Sequence, residues 1–559
     1  MSEPVPWVDN FTIGQVLRRT AQRHPARDAL VFPQAGVRMN WAEFDSAVDG
    51  IARGLLALGF QPGDHLGVWS TNWPEWVVLQ FATARIGVVL ATINPAYRPA
   101  ELEYALAQSE VRGLALIEGY KNSHFFQMLD EICPELARST PGNFQSAKFP
   151  KLKWFFGMRG PAQPGVLSWQ ELRAAGESIS PEQLAEIERG LAPNDPINLQ
   201  YTSGTTGHPK GALLTHRNLL LNGYYSAQRQ RLGEEDRLCI PVPLYHCFGC
   251  VLGTTCAVVS GTTMVFPHEF FQAEATLNAI DSERCTALYG VPTMFIAELE
   301  HPLFAERDTK SLRTGIMAGS PCPVELMKRV VNEMGASEIT IGYGLTEASP
   351  LITMTSTEDS IGHRVATVGV PFPGIEVQIV DPVSGAVLPD GQSGELCCRG
   401  HNVMLGYYNQ PDLTAEAIDS NGWLHSGDLA LRQPDGYFRI TGRFKDMIIR
   451  GGENIAPREI EELLYQHPSV EDVQIVGVPD RKYGEEIAAW IKLRSGETVA
   501  ESEIREYCRS RLAHFKTPRY VKFVESFPTT VTGKIQKFKI REQAIIDLGL
   551  QDVAAIETA

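Results

Sequence analysis

Hydrophobic positions in the first part of the chain alternate between a helical and a strand-like period. Between residues 41 and 58 the apolar side chains recur every three or four positions and Gly59 follows them, which predicts an amphipathic helix. The segments that come next are a strand over 65–70, a helix over 76–86 and a strand over 88–93. The same rhythm returns in residues 239–300 and 313–345. Strands that alternate with helices predict an α/β sheet.

A second, smaller α/β pattern begins near residue 443. Its segments are, in chain order, a helix over 458–466, strands over 473–478 and 487–493, a helix over 501–513 and a strand over 520–524. A unit of about 100 residues has the common size of a domain. We therefore expect an α/β protein with a large N-terminal domain of mixed sheets and helices, residues 1–443, and a small C-terminal α/β domain, residues 444–559.

Composition and charge exclude several classes of protein. The 559 residues are 43% hydrophobic, and their glycines and prolines are spread out, which excludes a fibrous or disordered chain. A formal net charge of −16 argues against general binding of nucleic acids or anionic membranes. The ten cysteines are too sparse for a disulfide framework. The pair Cys247 and Cys250, with His246 and Cys256 nearby, leaves a zinc or redox site open as a minor alternative.

The N-terminal residues form neither a secretory h-region nor an Arg-rich transit peptide. The least polar long run, residues 251–266, contains four threonines and two glycines and is too short to span a bilayer. We therefore expect a cytoplasmic protein without a transmembrane segment.

The strongest chemical motif is the run Tyr201-Thr-Ser-Gly-Thr-Thr-Gly-His-Pro-Lys210-Gly211. Its glycines let successive N–H groups turn toward one anion, its hydroxyls add donors, and Lys210 adds charge. The spacing differs from a Walker A loop, and strand-like runs at 197–200 and 212–214 indicate a hairpin around it. A hydroxylated surface turn explains only part of this run, so we interpret it as a loop for a nucleotide triphosphate. Its candidate binding residues are Thr202, Ser203, Gly204, Thr205, Thr206, Gly207, His208, Pro209 and Lys210.

Five further motifs follow this loop in order. They are Gly342-Tyr-Gly-Leu-Thr-Glu347, Trp423-Leu-His-Ser-Gly-Asp428, Thr441-Gly-Arg-Phe-Lys-Asp446, Gly451-Gly-Glu-Asn454 and Pro528-Thr-Thr-Val-Thr-Gly-Lys534. Together with the loop they resemble the adenylate-forming acyl-CoA synthetase superfamily of AMP-binding enzymes over nearly the whole chain. Residues 243–249 and 94–97 are most similar to medium-chain fatty acyl-CoA synthetases. The resemblance implies that the small C-terminal domain is mobile and is joined by a hinge.

The resemblance also implies a reaction that joins a carboxylic acid to coenzyme A with ATP and Mg²⁺. The carboxylate attacks the α-phosphate of ATP, and because both are anions the reaction needs charge neutralisation and positioning. Glu347 is the expected Mg²⁺ ligand and Thr202 is a weaker candidate, since Mg²⁺ on a phosphate takes one or two protein oxygens. Asp428 is suited to accept hydrogen bonds from both ribose hydroxyls.

Further nucleotide contacts are assigned by resemblance alone. Tyr343, which Gly344 follows, is similar to the aromatic residue that stacks on adenine, and Gly319-Ser320 is similar to the backbone that lines the purine. Arg443 resembles the second ribose contact. Lys445 stands where the interdomain hinge of the family falls, a position at which some members carry Asp.

The catalytic and CoA-binding candidates also follow from the resemblance. Lys534 corresponds to the lysine that reaches from the small domain to the acyl and phosphate oxygens during adenylation. His246 resembles the gating residue near the carboxylate, and Thr346 belongs to the motif that ends at Glu347. The loop Gly451-Gly452-Glu453 is similar to the one that lines the pantetheine tunnel in the second half-reaction.

The segment that begins at His246 indicates an acyl pocket. Residues 246–252 are mostly apolar, and residues 244–265 contain no carboxylate, which favours an alkyl acid over a free amino acid. The favoured interpretation is a fatty acid–CoA ligase, medium-chain by resemblance. An aryl or other carboxylic acid–CoA ligase stays open, as does a non-catalytic nucleotide-binding protein. We expect the acid, ATP and CoA as partners and no nucleic acid, and a homodimer stays open.

Overall fold

The structure is a computed structural model that describes residues 6–202, 209–320, 322–443, 446–450, 453–512, 514–530 and 533–554. Its strands, in chain order, are β1 (Asp28–Phe32), β2 (Val37–Asn40), β3 (His65–Trp69), β4 (Val89–Ile93), β5 (Gly113–Leu116), β6 (Gly119–Tyr120), β7 (Ser123–His124), β8 (Trp154–Gly157), β9 (Val166–Ser168), β10 (Pro196–Thr202), β11 (Lys210–Thr215), β12 (Arg237–Cys239), β13 (Thr263–Val265), β14 (Ala287–Gly290), β15 (Thr314–Ala318), β16 (Glu338–Gly344), β17 (Leu351–Met354), β18 (Val370–Pro371), β19 (Ile375–Val380), β20 (Gly394–Gly400), β21 (Gly406–Tyr407), β22 (Leu424–Arg432), β23 (Phe438–Arg443), β24 (Ile448–Arg450), β25 (Glu453–Ile455), β26 (Val470–Asp480), β27 (Gly484–Leu493) and β28 (Tyr520–Phe523).

The helices alternate with these strands through most of the chain. They are α1 (Ile13–Arg23), α2 (Trp41–Ala57), α3 (Pro74–Arg85), α4 (Pro99–Ser109), α5 (Phe125–Ile132), α6 (Trp169–Ala175), α7 (Pro181–Arg189), α8 (His216–Arg229), α9 (Thr254–Ser260), α10 (Ala273–Glu283), α11 (Pro292–Leu299), α12 (Val324–Arg329), α13 (Ile361–Ala366), α14 (Pro411–Ala417), α15 (Pro457–Leu464), α16 (Glu501–Arg509), α17 (Lys537–Asp547) and α18 (Gln551–Ala554).

Two large sheets form the first part of the molecule. The nine-stranded sheet has the order β18-β17-β16-β15-β14-β12-β13-β1-β2, and its strands from β16 to β1 are parallel. The eight-stranded sheet has the order β21-β11-β10-β4-β3-β5-β8-β9 and is parallel from β10 to β9. Strands β3, β4 and β15 are buried at every position, as expected for parallel sheets that are covered on both faces. A four-stranded antiparallel sheet, β19-β20-β22-β23, follows them.

One hydrophobic core runs through these sheets and spans residues 8–438 of the sequence. Two smaller clusters lie in the C-terminal part, on the two faces of the antiparallel pair β26–β27. Ile475 belongs to one cluster and Val476 to the other, because successive side chains of a strand point to opposite faces. Helix α15 covers the first face through Ile460, and α17 covers the second through Ile540.

The elements predicted from the hydrophobic pattern are present, and some of their ends differ. The helix predicted over 41–58 is α2, and the predicted α/β class with a large and a small part is confirmed. The helix predicted over 501–513 is shorter and ends at Arg509. Beyond it the side chains of Leu512 and Phe515 pack against the small core, so the chain turns instead of continuing the helix.

Within the part of the chain that the structure describes, every helix is too short or too polar to cross a bilayer. The least polar run of the sequence divides into a π-helical turn, Phe248–Gly253, then α9 and β13. All ten cysteines are buried free thiols.

The variant Ile475→Ala tests the packing of the small core. Ile475 is fully buried there, and the lost burial together with the cavity left behind costs about 2–5 kcal/mol. We expect the free energy of unfolding of the C-terminal part, measured by urea denaturation, to fall by that amount. Val383 is 93% exposed, so Val383→Ala is the control and changes stability by no more than about 0.5 kcal/mol. Equal unfolding midpoints for the two variants would contradict this packing.

Candidate active site

A cavity of about 2670 Å³ lies where the two large sheets meet the C-terminal part of the chain. Its walls include residues that follow the carboxyl ends of β12, β15 and β16 in one sheet and of β4 and β10 in the other. Open α/β sheets bind ligands outside the carboxyl ends of their strands. The predicted site residues that line this cavity are Thr202, Pro209, Lys210, His246, Gly319, Ser320, Tyr343, Gly344, Thr346, Glu347, Asp428, Arg443 and Lys534.

The structure describes only some of the predicted site residues. Residues 203–208 of the phosphate loop, Lys445 at the predicted hinge, and Gly451 and Gly452 lie outside the described residues. Glu453 begins β25, whose backbone pairs with β24. The predicted hairpin around the loop is present, because β10 and β11 are antiparallel and Thr202 lies opposite Lys210 in their register.

A buried carboxylate, that of Asp428, lies at the pairing of β22 and β23. Asp428 is opposite Arg443 in the register, and Arg443 Nε donates a hydrogen bond to Asp428 Oδ1 over 2.9 Å. The Tyr343 hydroxyl donates to Oδ2 over 2.7 Å. The charge of Asp428 raises the pKa of the Arg443 guanidinium, and burial together with Asp428 raises the pKa of Tyr343. Both donors keep their protons, and the carboxylate retains lone pairs for further donors.

A bulge in β22 presents Asp428 to the cavity. On β20, Glu395 pairs with Leu429 and Cys397 pairs with His425, so the segment of β22 between those partners is longer than the segment opposite it. A bulge of this kind re-aims a side chain and bends its strand. Gly427 has a φ of +69° within the bulge, and its amide donates to Glu395 Oε1 over 3.0 Å.

Glu347 lies on a 3₁₀ turn, Thr346–Ala348, directly after β16. The Tyr407 hydroxyl donates to Glu347 Oε1 over 2.7 Å, and the Met404 amide donates to the Glu347 carbonyl oxygen over 2.9 Å. The Lys210 ammonium lies 5.0 Å from the centre of the Tyr407 ring, within the range of a cation–π contact. Tyr407 therefore connects the start of β11 with the candidate metal ligand.

Lys534 reaches the cavity from a turn of the C-terminal part. Thr293 Oγ1, on α11, donates to the Gly533 carbonyl oxygen over 3.2 Å, and the Lys534 amide donates to Thr530 Oγ1 over 3.1 Å. Burial and then the positive charge of Arg443 lower the pKa of the Lys534 ammonium to about 8, although Asp428 acts in the opposite direction. At neutral pH the side chain is therefore mainly a cation, and it becomes a neutral amine at mildly alkaline pH.

His246 is held as a neutral imidazole on the opposite wall. Burial and then the charge of Lys534 lower its pKa to about 4. Its Nδ1 accepts a hydrogen bond from the Phe248 amide over 3.1 Å, which leaves the proton of the neutral ring on Nε2. The Cys247 sulfur lies 3.6 Å from Thr346 Oγ1, so the His246 segment contacts the turn that carries Glu347.

The segment predicted to form the acyl pocket divides between the cavity and the core. His246, Cys247, Phe248 and Leu252 line the cavity, together with Tyr97 and Val291. Cys250 and Val251 are instead fully buried in the large core, where the amide nitrogen of Gln200 donates to Cys250 Sγ over 2.8 Å. The π-helical turn produces this division because it points successive side chains in different directions.

Two glycines of the site are required by space or by backbone angle. A Cβ atom on Gly344 would lie 1.8 Å from the Pro350 carbonyl oxygen, so no side chain fits at the end of β16. Gly319 has a φ of +88°, a left-handed conformation that glycine adopts without strain, and it turns the chain after β15.

Sequence reasoning missed two residues of this site, Tyr407 and Thr293. Tyr407 is 60 positions from Glu347 and reaches it because β21 pairs with β11. Thr293 lies at the start of α11 and meets a turn that follows it by 240 positions. Neither belongs to a motif, so only the three-dimensional arrangement reveals them.

Comparison with known proteins shows the family of this chain. The AMP-binding enzyme family matches residues 17–408, and the AMP-binding enzyme C-terminal domain matches residues 459–534. The candidate acyl-CoA synthetase YngI of Bacillus subtilis (strain 168) is 48% identical over 534 residues, which cover 96% of this chain and 97% of that protein. The mitochondrial medium-chain acyl-CoA ligase ACSF2 of Danio rerio is 44% identical over 545 residues, which cover 97% of this chain and 90% of that protein.

A solved structure has the same architecture. The crystal structure of the anthranilate CoA ligase AuaEII in complex with anthranoyl-AMP matches with a TM-score of 0.85 and 26% identity, over 97% of this chain and 98% of that one. The fold is that of the adenylate-forming enzymes. The chain belongs to the AMP-binding enzyme family, which confirms the resemblance drawn from the motifs.

The lowered pKa of Lys534 is open to direct measurement in the substrate-free, full-length protein. We expect acetylation of Lys534 by an amine-reactive ester, quantified by mass spectrometry, to rise with pH about a midpoint near 8, because only the neutral amine reacts. In Arg443→Met the midpoint moves upward, since the positive charge that lowers the pKa of Lys534 is lost and Asp428 loses its partner.

The control for this measurement is Arg217→Met. Arg217 pairs with Asp9, and neither residue lines the cavity. We expect the labelling midpoint of Lys534 to be the same in this variant as in the unmodified protein. A midpoint that stays in place in Arg443→Met as well would show that Lys534 does not sense Arg443.

Proposed function

We propose that this chain is an ATP-dependent carboxylic acid–CoA ligase that forms acyl-CoA, AMP and pyrophosphate through an acyl-adenylate. The observation that carries the proposal is the meeting of Asp428, Glu347 and Lys534 on the walls of one cavity. The family match and the CoA ligase and acyl-CoA synthetase names of the near-full-length relatives agree with it. A non-catalytic nucleotide-binding protein has no use for a half-buried lysine that is supplied by the C-terminal part.

The first half-reaction brings two anions together, and the cavity offers the charges that this requires. The acid's carboxylate oxygen forms a bond to the α-phosphorus of ATP, and the bond to pyrophosphate breaks. The ammonium groups of Lys534 and Lys210 counter the negative charge on the phosphate and acyl oxygens. Asp428 accepts hydrogen bonds from the ribose, and Arg443 fixes its orientation. His246 Nε2–H is available to the substrate carboxylate.

A magnesium ion fits the oxygen donors of the cavity. Glu347 offers a carboxylate and Thr202 a hydroxyl, both on the cavity wall, and oxygen is the ligand type that Mg²⁺ takes. We assign Glu347 as its main protein ligand and Thr202 as the second candidate. Bound there with ATP, the ion neutralises phosphate charge. Tyr407 orients Glu347 for this role through its 2.7 Å hydrogen bond.

We propose a domain boundary at residues 443 and 444, with residues 1–443 and 444–559 as the two domains and the hinge at Lys445. The large core draws on residues up to 438, and the small clusters begin with Ile448. The second half-reaction then uses a different face of the small domain. The loop of Gly451 and Gly452 is assigned to the pantetheine arm of CoA by resemblance.

The acid that we propose is a medium-chain fatty acid. The cavity lining includes the apolar side chains of Phe248, Leu252, Val291 and Val242, which suit an alkyl chain. The likeness to the medium-chain acyl-CoA ligase ACSF2 agrees with this substrate. An aryl acid is the second candidate, because the structural match of TM-score 0.85 is to an anthranilate CoA ligase.

ATP–pyrophosphate exchange with a panel of acids tests the proposal. We expect exchange in the absence of CoA with saturated medium-chain acids, and less exchange with benzoate or anthranilate, because aliphatic side chains such as Leu252, Val291 and Val242 contribute to the cavity lining. Exchange that requires CoA with every active acid would rule out the acyl-adenylate. Exchange restricted to aryl acids would replace the fatty acid as substrate but keep the mechanism.

Two variants separate the half-reactions. We expect Lys534→Ala to slow adenylation by about 10²–10³-fold, as for a lost charge-stabilising donor, and to leave thioester formation from supplied acyl-adenylate nearly unchanged. Gly452→Leu should do the reverse, because a side chain obstructs the pantetheine arm. Both half-reactions are measured separately by rapid quench.

Lys522→Ala is the matched control for these measurements. Lys522 is also in the C-terminal part, but it pairs with Asp547 and does not line the cavity, so both half-reactions should keep their rates. If Lys534→Ala and Gly452→Leu slowed both half-reactions equally, a single static site would replace the two-conformation mechanism.

A further inference from the structure

Outside the groups assigned to the reaction, three side chains bring metal-ligand chemistry together. Glu395 and Cys397 lie two positions apart on β20, and His425 lies on the neighbouring strand β22. Cys397 is opposite His425 in the antiparallel register. One ligand atom from each residue lies within 4.8 Å of the others. A strand directs residues two apart to the same face, so this cluster follows from the sheet itself.

The distances are close to those of a tetrahedral zinc centre. The His425 Nδ1 atom lies 2.9 Å from Glu395 Oε2 and 3.4 Å from Cys397 Sγ. Tetrahedral zinc bonds of the usual length place a nitrogen about 3.3 Å from an oxygen ligand and about 3.6 Å from a sulfur ligand. An outward shift of a few tenths of an ångström at each side chain therefore admits the ion.

We propose that Glu395, Cys397 and His425 form a binding site for Zn²⁺ that acts on the nucleotide site through the β22 bulge. A thiol, an imidazole and a carboxylate select a borderline ion such as Zn²⁺ over Mg²⁺, which prefers oxygen ligands alone. Glu395 and His425 also line the main cavity, so the ion has a route to the site and a fourth position for water.

The proposed zinc site is linked to the nucleotide site through Oε1 of Glu395, the carboxylate oxygen that does not contact His425. Glu395 Oε1 accepts the hydrogen bond of the Gly427 amide over 3.0 Å, and Gly427 immediately precedes Asp428. A zinc ion between these ligands moves Glu395 and His425 apart, and this displaces the β22 bulge that follows His425. We expect weaker binding of ATP in the zinc-bound protein, and this effect on ATP rests on the proposed function.

The thiol proton limits the strength of the site. A free cysteine carries its thiol proton at neutral pH, whereas zinc binds the thiolate. Zinc binding breaks the S–H bond, forms the Zn–S bond and releases the proton to solvent. We therefore expect reversible binding that is weaker than at a structural zinc site.

Isothermal titration of ZnCl₂ into the full-length protein, with Mg²⁺ in excess, tests the site directly. We expect one zinc per chain, with Kd raised about tenfold or more in Cys397→Ser and in Glu395→Gln, because the loss of a direct ligand costs at least as much as the loss of its outer partners. The control is Cys398→Ser. Cys398 is also buried on β20, but it points to the opposite face of the sheet. We therefore expect the Cys398→Ser variant to bind zinc with the Kd of the unmodified protein.

Two results would overturn the site: no zinc binding by the unmodified protein, or equal binding by Cys397→Ser and the unmodified protein. A Co²⁺ titration that gives no thiolate-to-metal absorption band would also overturn the site, because it would show that Cys397 does not bind the metal. If zinc binds as expected but does not raise the KM for ATP in pyrophosphate exchange, the metal site stands and its coupling to Asp428 is wrong. A protein that binds zinc and shows no exchange with any acid would count against the proposed function alone.

Discussion

The burial of one negative charge, the carboxylate of Asp428, is the constraint on which the site depends. A charge removed from water is stable only with partners, and here each oxygen has one. Arg443 binds one oxygen from the adjacent strand, and Tyr343 binds the other from the end of β16 in a different sheet. The same charge favours the ammonium of Lys534 against the repulsion of Arg443. One carboxylate thus fixes the relative positions of two sheets and attracts a side chain of the C-terminal part.

In the proposed mechanism, the position of Lys534 couples nucleotide binding to the arrangement of the two domains. With a pKa of about 8 its ammonium is less stable in the cavity than in water, because it is buried close to Arg443. The phosphates of ATP supply the negative charge that these two cations lack. A ligand that binds one arrangement more tightly shifts the population toward it, so the proposed mechanism has ATP favouring the arrangement with Lys534 inserted. In that mechanism, the departure of pyrophosphate removes part of the negative charge, and withdrawal of the turn that carries Lys534 becomes easier.

The sequence predicted features that are formed by residues close together in the chain better than contacts between distant segments. Asp428 and Arg443 were both predicted as ribose contacts because each lies in a recognisable motif, whereas the hydrogen bond between them appears only in the structure. The hairpin around the phosphate loop was accessible because its two strands flank the loop in the chain. The bond from Tyr407 to Glu347 was not, since it depends on β21 joining the edge of a sheet whose other strands come much earlier. Helix ends such as Arg509 were missed where packing, not periodicity, turns the chain.

The bulge of β22 gives the motif Trp423-Leu-His-Ser-Gly-Asp428 a physical meaning beyond its last residue. His425 stays in register with Cys397, and Leu429 returns to register with Glu395, so the three residues between them on β22 are not paired with β20, while Asp428 stays paired with Arg443 on β23. Gly427 supplies the left-handed φ that this path needs, and Ser426 Oγ accepts the Asp428 amide over 3.1 Å. Glu395 then holds the bulge from β20 by accepting the Gly427 amide. Asp428 is thus aimed by the whole segment, and any change in the pairing of Glu395 reaches it through a single hydrogen bond.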